Sequence, residues 1–73
     1  MFTIYTKPNC VNCERTKRLF DSKNVEYKTV NLAEHPEDLA YIKENGFTSA
    51  PVIEDRFGNL HDHRQAATLI KGQ

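Results

Sequence analysis

Residues 2–20 read FTIYTKPNCVNCERTKRLF, and they carry the clearest structural signals of the chain. It opens with a β-branched and aromatic run, Phe2 to Tyr5, which favours a strand. A proline and an asparagine then break the run, and Asn9 is a good candidate for the N-cap of a helix. From Cys10 or Val11 to about Ser22 the residues favour that helix. The sequence therefore predicts a strand, a tight turn and a helix that begins at two cysteines.

The remainder of the chain continues to alternate between strand and helix signals. A proline followed by two acidic residues predicts the start of a second helix at Pro36, and Asn45-Gly46 predicts its end. Three further strands are predicted, at Val25–Asn31, at Pro51–Glu54 and from Leu60 to His61 or Asp62, with a hairpin loop at Asp55–Asn59. A last helix is predicted after them. Its start is indicated by Asp62 and Gln65, which have capping-box spacing, and its buried side by the apolar stripe Ala66, Leu69 and Ile70.

This element order, βαβαββα, predicts an α/β fold in a single domain over residues 1–73. The strand–helix–strand unit near the N-terminus implies a parallel pair of strands, and the later hairpin adds an antiparallel edge. We therefore expect a four-stranded mixed sheet flanked by three helices. A domain of 73 residues buries little core, so its stability should be only a few kcal/mol.

The two cysteines of the chain are better suited to chemistry than to structural support. A bridge between Cys10 and Cys13 closes a very small loop, so it removes little entropy from the unfolded chain. The helical wheel places Cys13 with Phe20 toward the core and Cys10 nearer to solvent. A cysteine at a helix start favours the thiolate, because unpaired backbone N–H groups and the helix dipole stabilise an anion there. We expect Cys10 to attack a partner disulfide and Cys13 to resolve the mixed disulfide.

The net charge and the lengths of the apolar runs indicate which partners and which cell compartment to expect for the protein. Ten basic residues balance ten acidic ones, which gives no support for binding nucleic acid. Basic residues do cluster around the cysteines, which is compatible with a solvated helix face and with a local field that favours a thiolate. No apolar run approaches the length of a membrane span, and the start is too short for a signal peptide. We expect a cytoplasmic protein that does not bind a membrane.

Metal binding is the alternative interpretation of the cysteine pair. His61 and His63 could join Cys10 and Cys13 around zinc, or the cysteines could hold an iron–sulfur cluster. The spacing of the two histidines does not match a zinc finger, in which they lie three to five residues apart. Redox chemistry is the leading interpretation, with no metal ligand and no tightly bound cofactor expected.

Two segments together resemble a known family, the glutaredoxin-like NrdH-redoxins. They are Thr6–Cys13, which contains the cysteine pair, and Ser49–Val52, which contains an Ala-Pro-Val sequence. The resemblance covers essentially the whole chain and implies the minimal thioredoxin/glutaredoxin fold. It also implies that Cys10 is the nucleophile and Cys13 the resolving cysteine, and that Pro51 follows a cis peptide bond beside them. The backbone of Ala50 would then pair with the substrate, with Lys7, Pro8 and Arg64 in supporting positions.

The resemblance also implies partners for this chemistry. NrdH-redoxins reduce the disulfide that forms on ribonucleotide reductase at each turnover, and thioredoxin reductase recycles them with electrons from NADPH. Glutathione recycles ordinary glutaredoxins, which carry a Gly-Gly-x-Asp-like segment after the last strand, and this chain has none. NrdH-redoxins usually carry Trp-Ser-Gly-Phe-Arg-Pro there, whereas residues 60–65 read LHDHRQ, so that only Arg64 matches. We expect a monomeric dithiol redoxin, with a glutathione-dependent glutaredoxin as the alternative.

Overall fold

A computed structural model describes residues 1–71. The elements follow the predicted order, with a short 3₁₀ helix added before the last one. They are β1 (Phe2–Thr6), α1 (Val11–Ser22), β2 (Tyr27–Asn31), α2 (Pro36–Glu44), β3 (Val52–Glu54), β4 (Leu60–Asp62), the 3₁₀ helix (His63–Gln65) and α3 (Ala66–Ile70). No helix within the described range is long and apolar enough to cross a membrane.

The four strands form one mixed sheet in the order β2-β1-β3-β4. Strand β1 pairs with β2 in parallel and with β3 antiparallel, and β3 pairs with β4 antiparallel. The predicted parallel pair and the predicted hairpin edge are both confirmed. Parallel pairing follows from the crossover through α1, because a helix between two strands returns the chain to the same end of the sheet.

Both faces of the sheet are buried, because successive side chains of a strand point to opposite sides. Ile4 and Ile53 face α1 and α3, whereas Tyr5 and Val52 face α2. The core on the first face is formed by Phe2, Ile4, Phe20, Ile53, Ala66 and Ile70, and the core on the second by Tyr5, Leu32, Ile42 and Val52. The helices therefore sandwich the sheet, with two on one side and one on the other.

Helix α1 lies on the sheet through a stripe of three buried residues, Cys13, Thr16 and Phe20. The ring of Phe20 is 0% exposed and meets two other rings edge to face. Its centroid lies 5.3 Å from that of Phe2 and 5.5 Å from that of Tyr27. Because Cys13 belongs to the same stripe, the packing that fixes α1 also fixes the start of the helix, where the cysteines lie.

The two longer helices end in the same way, with a residue in the left-handed region. Asn24 has φ +56° after α1, and Gly46 has φ +88° after α2. After α1, the N–H of Val25 donates to the carbonyl of Phe20 at 3.0 Å, and after α2 the N–H of Phe47 donates to the carbonyl of Ile42 at 3.1 Å. These bonds satisfy carbonyls that a helix end leaves unpaired. The predicted ends of α1 at about Ser22 and of α2 at Asn45-Gly46 are confirmed.

The structure corrects the start of α1 and shortens two predicted strands. The prediction of Asn9 as the N-cap was wrong: Asn9 lies in the turn with φ +56°, and Cys10 is the N-cap, because its sulfur accepts the N–H of Cys13. Strand β2 begins at Tyr27 instead of Val25, whose N–H is used by the end of α1. Strand β3 begins at Val52, since Pro51 has no N–H to donate to a ladder.

Candidate active site

The cysteines lie beside one end of the two central strands, β1 and β3. Strand β1 ends there and leads through the turn into Cys10, and β3 begins there after Pro51. The antiparallel register, in which Tyr5 is opposite Val52, brings the two connections together. As a result the sulfur of Cys10 lies 3.9 Å from the carbonyl oxygen of Ala50, a residue 40 positions away in the sequence.

Cys10 and Cys13 form a disulfide in this structure, with their Cα atoms 5.2 Å apart. Cys13 is 1% exposed and packs against the core, whereas Cys10 is half-buried at the helix start, as the helical wheel predicts. The neighbouring Val11 is 67% exposed. A partner can therefore reach the sulfur of Cys10 across an open rim, while the sulfur of Cys13 lies behind it.

The local hydrogen bonding favours negative charge on Cys10 once the disulfide is reduced. The backbone N–H of Cys13 points at the sulfur of Cys10, at a distance of 3.1 Å between nitrogen and sulfur. This N–H is one of the donors that a helix start leaves unpaired, and the positive end of the helix dipole lies at the same point. A thiolate is the attacking species in thiol–disulfide exchange. Cys10 is thus placed to react as the anion.

Ala50 and Pro51 form the second half of the site. The peptide bond between them is cis, as the family resemblance implies. Both residues are buried, and Ala50 is 8% exposed. The Ala50 carbonyl is directed toward the sulfur of Cys10, so a group that binds at this sulfur also lies near a backbone acceptor.

An apolar cavity of about 240 Å³ adjoins this half of the site. Lys7 and Ala50 line it at the cysteine end, and Leu39, Ile42 and Phe47 line it from α2 and the following loop. A cavity with this lining suits an apolar side chain better than a small polar molecule. It therefore offers a place beside Ala50 for an apolar side chain of a bound molecule.

The remaining predicted site residues, Lys7, Pro8 and Arg64, are exposed. Lys7 and Pro8 are exposed on the turn before Cys10. The Arg64 side chain is 80% exposed on the 3₁₀ helix, where its Nε donates to a carboxylate oxygen of Asp62 at 3.1 Å. Among residues 1–71, no hydrogen bond or ion pair joins Arg64 to either cysteine or to Lys7. The structure brings Cys10, Cys13, Ala50 and Pro51 together, whereas the side chain of Arg64 contacts Asp62.

The histidines of the metal hypothesis have other surroundings. The Nε2 atom of His61 lies 2.9 Å from a carboxylate oxygen of Asp55. Within residues 1–71, no group of three or more His, Cys, Asp or Glu side chains could hold a metal ion. The same Asp55 carboxylate accepts the backbone N–H groups of Phe57 and Asn59, so it organises the β3–β4 hairpin. We did not predict this role of Asp55 from the sequence, although an aspartate that opens a turn is a common signal for it.

Comparisons with known proteins give a consistent result. The glutaredoxin family model matches residues 2–56. Glutaredoxin-like protein NrdH of Lactococcus lactis subsp. cremoris is 36% identical over 53 residues, which are 73% of this chain and 74% of that protein. Glutaredoxin-like protein NrdH of Salmonella typhimurium is 39% identical over 51 residues, or 70% of this chain and 63% of that protein. The structure of NrdH-redoxin from Escherichia coli superposes with a TM-score of 0.86 at 24% identity, covering 99% of this chain and 93% of that one.

Proposed function

This chain belongs to the glutaredoxin family of thiol–disulfide oxidoreductases, and we propose that its reduced form passes two electrons to the disulfides of other proteins. The resemblance to NrdH-redoxins is confirmed. The observation that carries the proposal is the placement of two sulfurs at one helix start, one half-buried and one 1% exposed. This placement supports the roles of Cys10 as the attacking cysteine and Cys13 as the resolving one.

The proposed reaction has two exchange steps. The Cys10 thiolate attacks one sulfur of the partner disulfide, the partner's S–S bond breaks, and the released sulfur takes up a proton. Cys13 then loses its proton and attacks the sulfur of Cys10, so that the mixed disulfide breaks and the second partner sulfur leaves and is protonated. The partner gains two electrons and two protons, and Cys10 and Cys13 end in the disulfide of the present structure.

We propose ribonucleotide reductase as a physiological partner, because the curated relatives are NrdH proteins. The apolar cavity beside Ala50 supports a protein partner, since it fits a side chain next to the target disulfide. We place this electron-transport reaction in the cytoplasm, whose reducing conditions keep the cysteines available as thiols. The domain acts as a monomer and needs no tightly bound cofactor.

Thioredoxin reductase is the proposed source of electrons, which come ultimately from NADPH. Glutathione-dependent relatives carry adjacent glycines after the last strand, where a backbone without side chains lets a ligand approach closely. Residues 60–65 of this chain, LHDHRQ, contain no glycine, and the Asp62 carboxylate in this stretch accepts the N–H of Arg64 at 2.8 Å. The side chains of this stretch disfavour the close approach of glutathione.

Variants of the two cysteines test the exchange steps. Cys13→Ser, reduced and mixed with oxidised ribonucleotide reductase, should accumulate a mixed disulfide that a non-reducing gel detects, because no second thiol can release it. The matched control is the double variant Cys10→Ser/Cys13→Ser, which should give no adduct. Cys10→Ser should not reduce the partner at all. An active Cys10→Ser, or a Cys13→Ser that gives no adduct, would contradict the assigned roles.

A coupled assay separates the two sources of electrons. The oxidised protein is supplied with NADPH and either thioredoxin reductase alone or glutathione with glutathione reductase, at matched enzyme concentrations. We expect faster NADPH consumption with thioredoxin reductase. Faster consumption with glutathione would instead identify a glutathione-dependent glutaredoxin.

A further inference from the structure

A second cavity, which we call the basic cleft, lies between α1 and the segment that follows β4. Its volume is about 290 Å³, and its lining includes Asn12, Arg15 and Thr16 from α1 and His63 and Arg64 from the 3₁₀ helix. None of these residues lines the apolar cavity beside Ala50. The basic cleft is therefore a separate surface, yet it reaches the redox centre, because Asn12 stands between the two cysteines.

The charged side chains that line the basic cleft are cationic. Arg15 is exposed, and it forms no ion pair with any residue in the described range 1–71. Arg64 and the ring of His63 lie 3.1 Å and 3.9 Å from the same carboxylate oxygen of Asp62. The Asp62 carboxylate thus faces the Arg64 guanidinium and the His63 imidazole, and the residues that line the cleft include no Asp or Glu. Among residues 1–71, the positive charge in the cleft that no carboxylate balances is chiefly that of the Arg15 guanidinium.

Adjacent charges on α1 do not cancel this excess. Glu14, the acidic neighbour of Arg15, forms an ion pair with Lys17, in which a carboxylate oxygen lies 2.9 Å from the Nζ atom. Guanidinium groups offer paired donors that match the two oxygens of a carboxylate. The chain as a whole carries equal numbers of basic and acidic residues, so the basic cleft is a local feature and not part of a broad surface for nucleic acid.

We propose that the basic cleft binds an acidic segment of the protein whose disulfide is reduced. The inference rests on the proposed function, since it places the partner's target sulfur at Cys10. The partner chain that reaches Cys10 passes the first turn of α1, and carboxylates within a few residues of the target disulfide then come within reach of Arg15 and Arg64. Acidic residues beside the disulfide would distinguish preferred partners from others.

Two peptides with the same internal disulfide test this inference. One carries Asp and Glu beside the disulfide, and the other carries Asn and Gln at the same positions. The pre-reduced protein is mixed with each peptide in a single turnover at low salt, and the rates are compared. We expect the acidic peptide to be reduced about fivefold faster, and the preference to shrink as salt screens the exposed charges.

A pair of arginine variants assigns the preference to the basic cleft. Arg15→Ala should lower the ratio of acidic to neutral rates about threefold, the scale of one exposed ion pair. Arg18→Ala is the matched control, because Arg18 is exposed on the same helix, lies outside the cleft lining and forms no ion pair among residues 1–71. Its ratio should equal that of the unmodified protein.

The outcomes separate this inference from the proposed function. Equal rates for the two peptides, or equal losses in Arg15→Ala and Arg18→Ala, would overturn the acidic-segment inference while leaving disulfide reduction intact. Failure to reduce either peptide would overturn the proposed function and the inference together.

Discussion

Replacing Phe20 by leucine tests whether the cysteine-bearing helix is held to the sheet mainly through one aromatic ring. Phe20 is 0% exposed and makes edge-to-face contacts with Phe2 and Tyr27. Leucine keeps most of the apolar burial but removes both ring pairs, each worth about 0.5–1.5 kcal/mol beyond area. The free energy of unfolding should therefore fall by about 1–3 kcal/mol. A domain of 73 residues has only about 4–11 kcal/mol in total, so the loss is a large share.

The measurement is urea unfolding of the oxidised protein, with the free energy obtained by linear extrapolation. Phe57→Leu is the matched control, because Phe57 is 82% exposed in the β3–β4 hairpin and should change stability by less than about 0.5 kcal/mol. If the urea midpoint shifts by the same amount in both variants, the two ring pairs of Phe20 do not hold α1 to the sheet as proposed.

Three further predictions concern residues away from the cysteines. The hydrogen bond from His61, with those from backbone N–H groups, lowers the pKa of Asp55 to about 2 from 3.8. The Asp55 carboxylate therefore stabilises the folded protein fully above about pH 4, and this contribution is lost as the pH falls toward 2. Asp55→Asn should flatten the acid limb of a stability–pH profile, and an unchanged limb would contradict this. Burial and the nearby Glu54 carboxylate raise the pKa of Tyr5 to about 12 from 10.0. The neutral Tyr5 hydroxyl therefore contributes to the stability of the folded protein below pH 10, and this contribution is lost as the pH rises toward 12. Tyr5→Phe should remove the highest transition in a phenolate absorbance titration, and its persistence would show that another tyrosine is responsible. Asn24→Ala should lower the free energy of unfolding by about 1 kcal/mol in urea, because Asn24 has φ +56°, and no loss would mean that the turn relaxes.

Signals that act within a few residues predicted most of the fold. Pro36 marked the start of α2, and Asn45-Gly46 marked its end, because each places a specific backbone conformation at one position. The helical wheel separated an inner Cys13 from an outer Cys10, since burial follows from the periodicity of one helix. The order of elements then restricted the sheet to the mixed arrangement that the structure has.

Features that depend on residues far apart in sequence could not be obtained in the same way. The approach of Cys10 to the Ala50 carbonyl depends on the register of β1 and β3, which no local pattern fixes. The resemblance to a family supplied that part of the site. The capping of α1 also escaped prediction, because Asn9 is by residue type the better cap, whereas the sulfur of Cys10 takes the N–H of Cys13.

Strands β1 and β3 are the two strands of the sheet that have a hydrogen-bonded neighbour on each side. One leads into Cys10, and the other follows the Ala50-Pro51 peptide bond. Native proteins open locally where the fewest contacts hold a segment, so β2 and β4 should exchange their amide hydrogens sooner than β1 and β3. Fluctuations that loosen the outer strands of the sheet then leave the two sulfurs and the Ala50 carbonyl in their relative positions, so the geometry of the centre persists while its surroundings move.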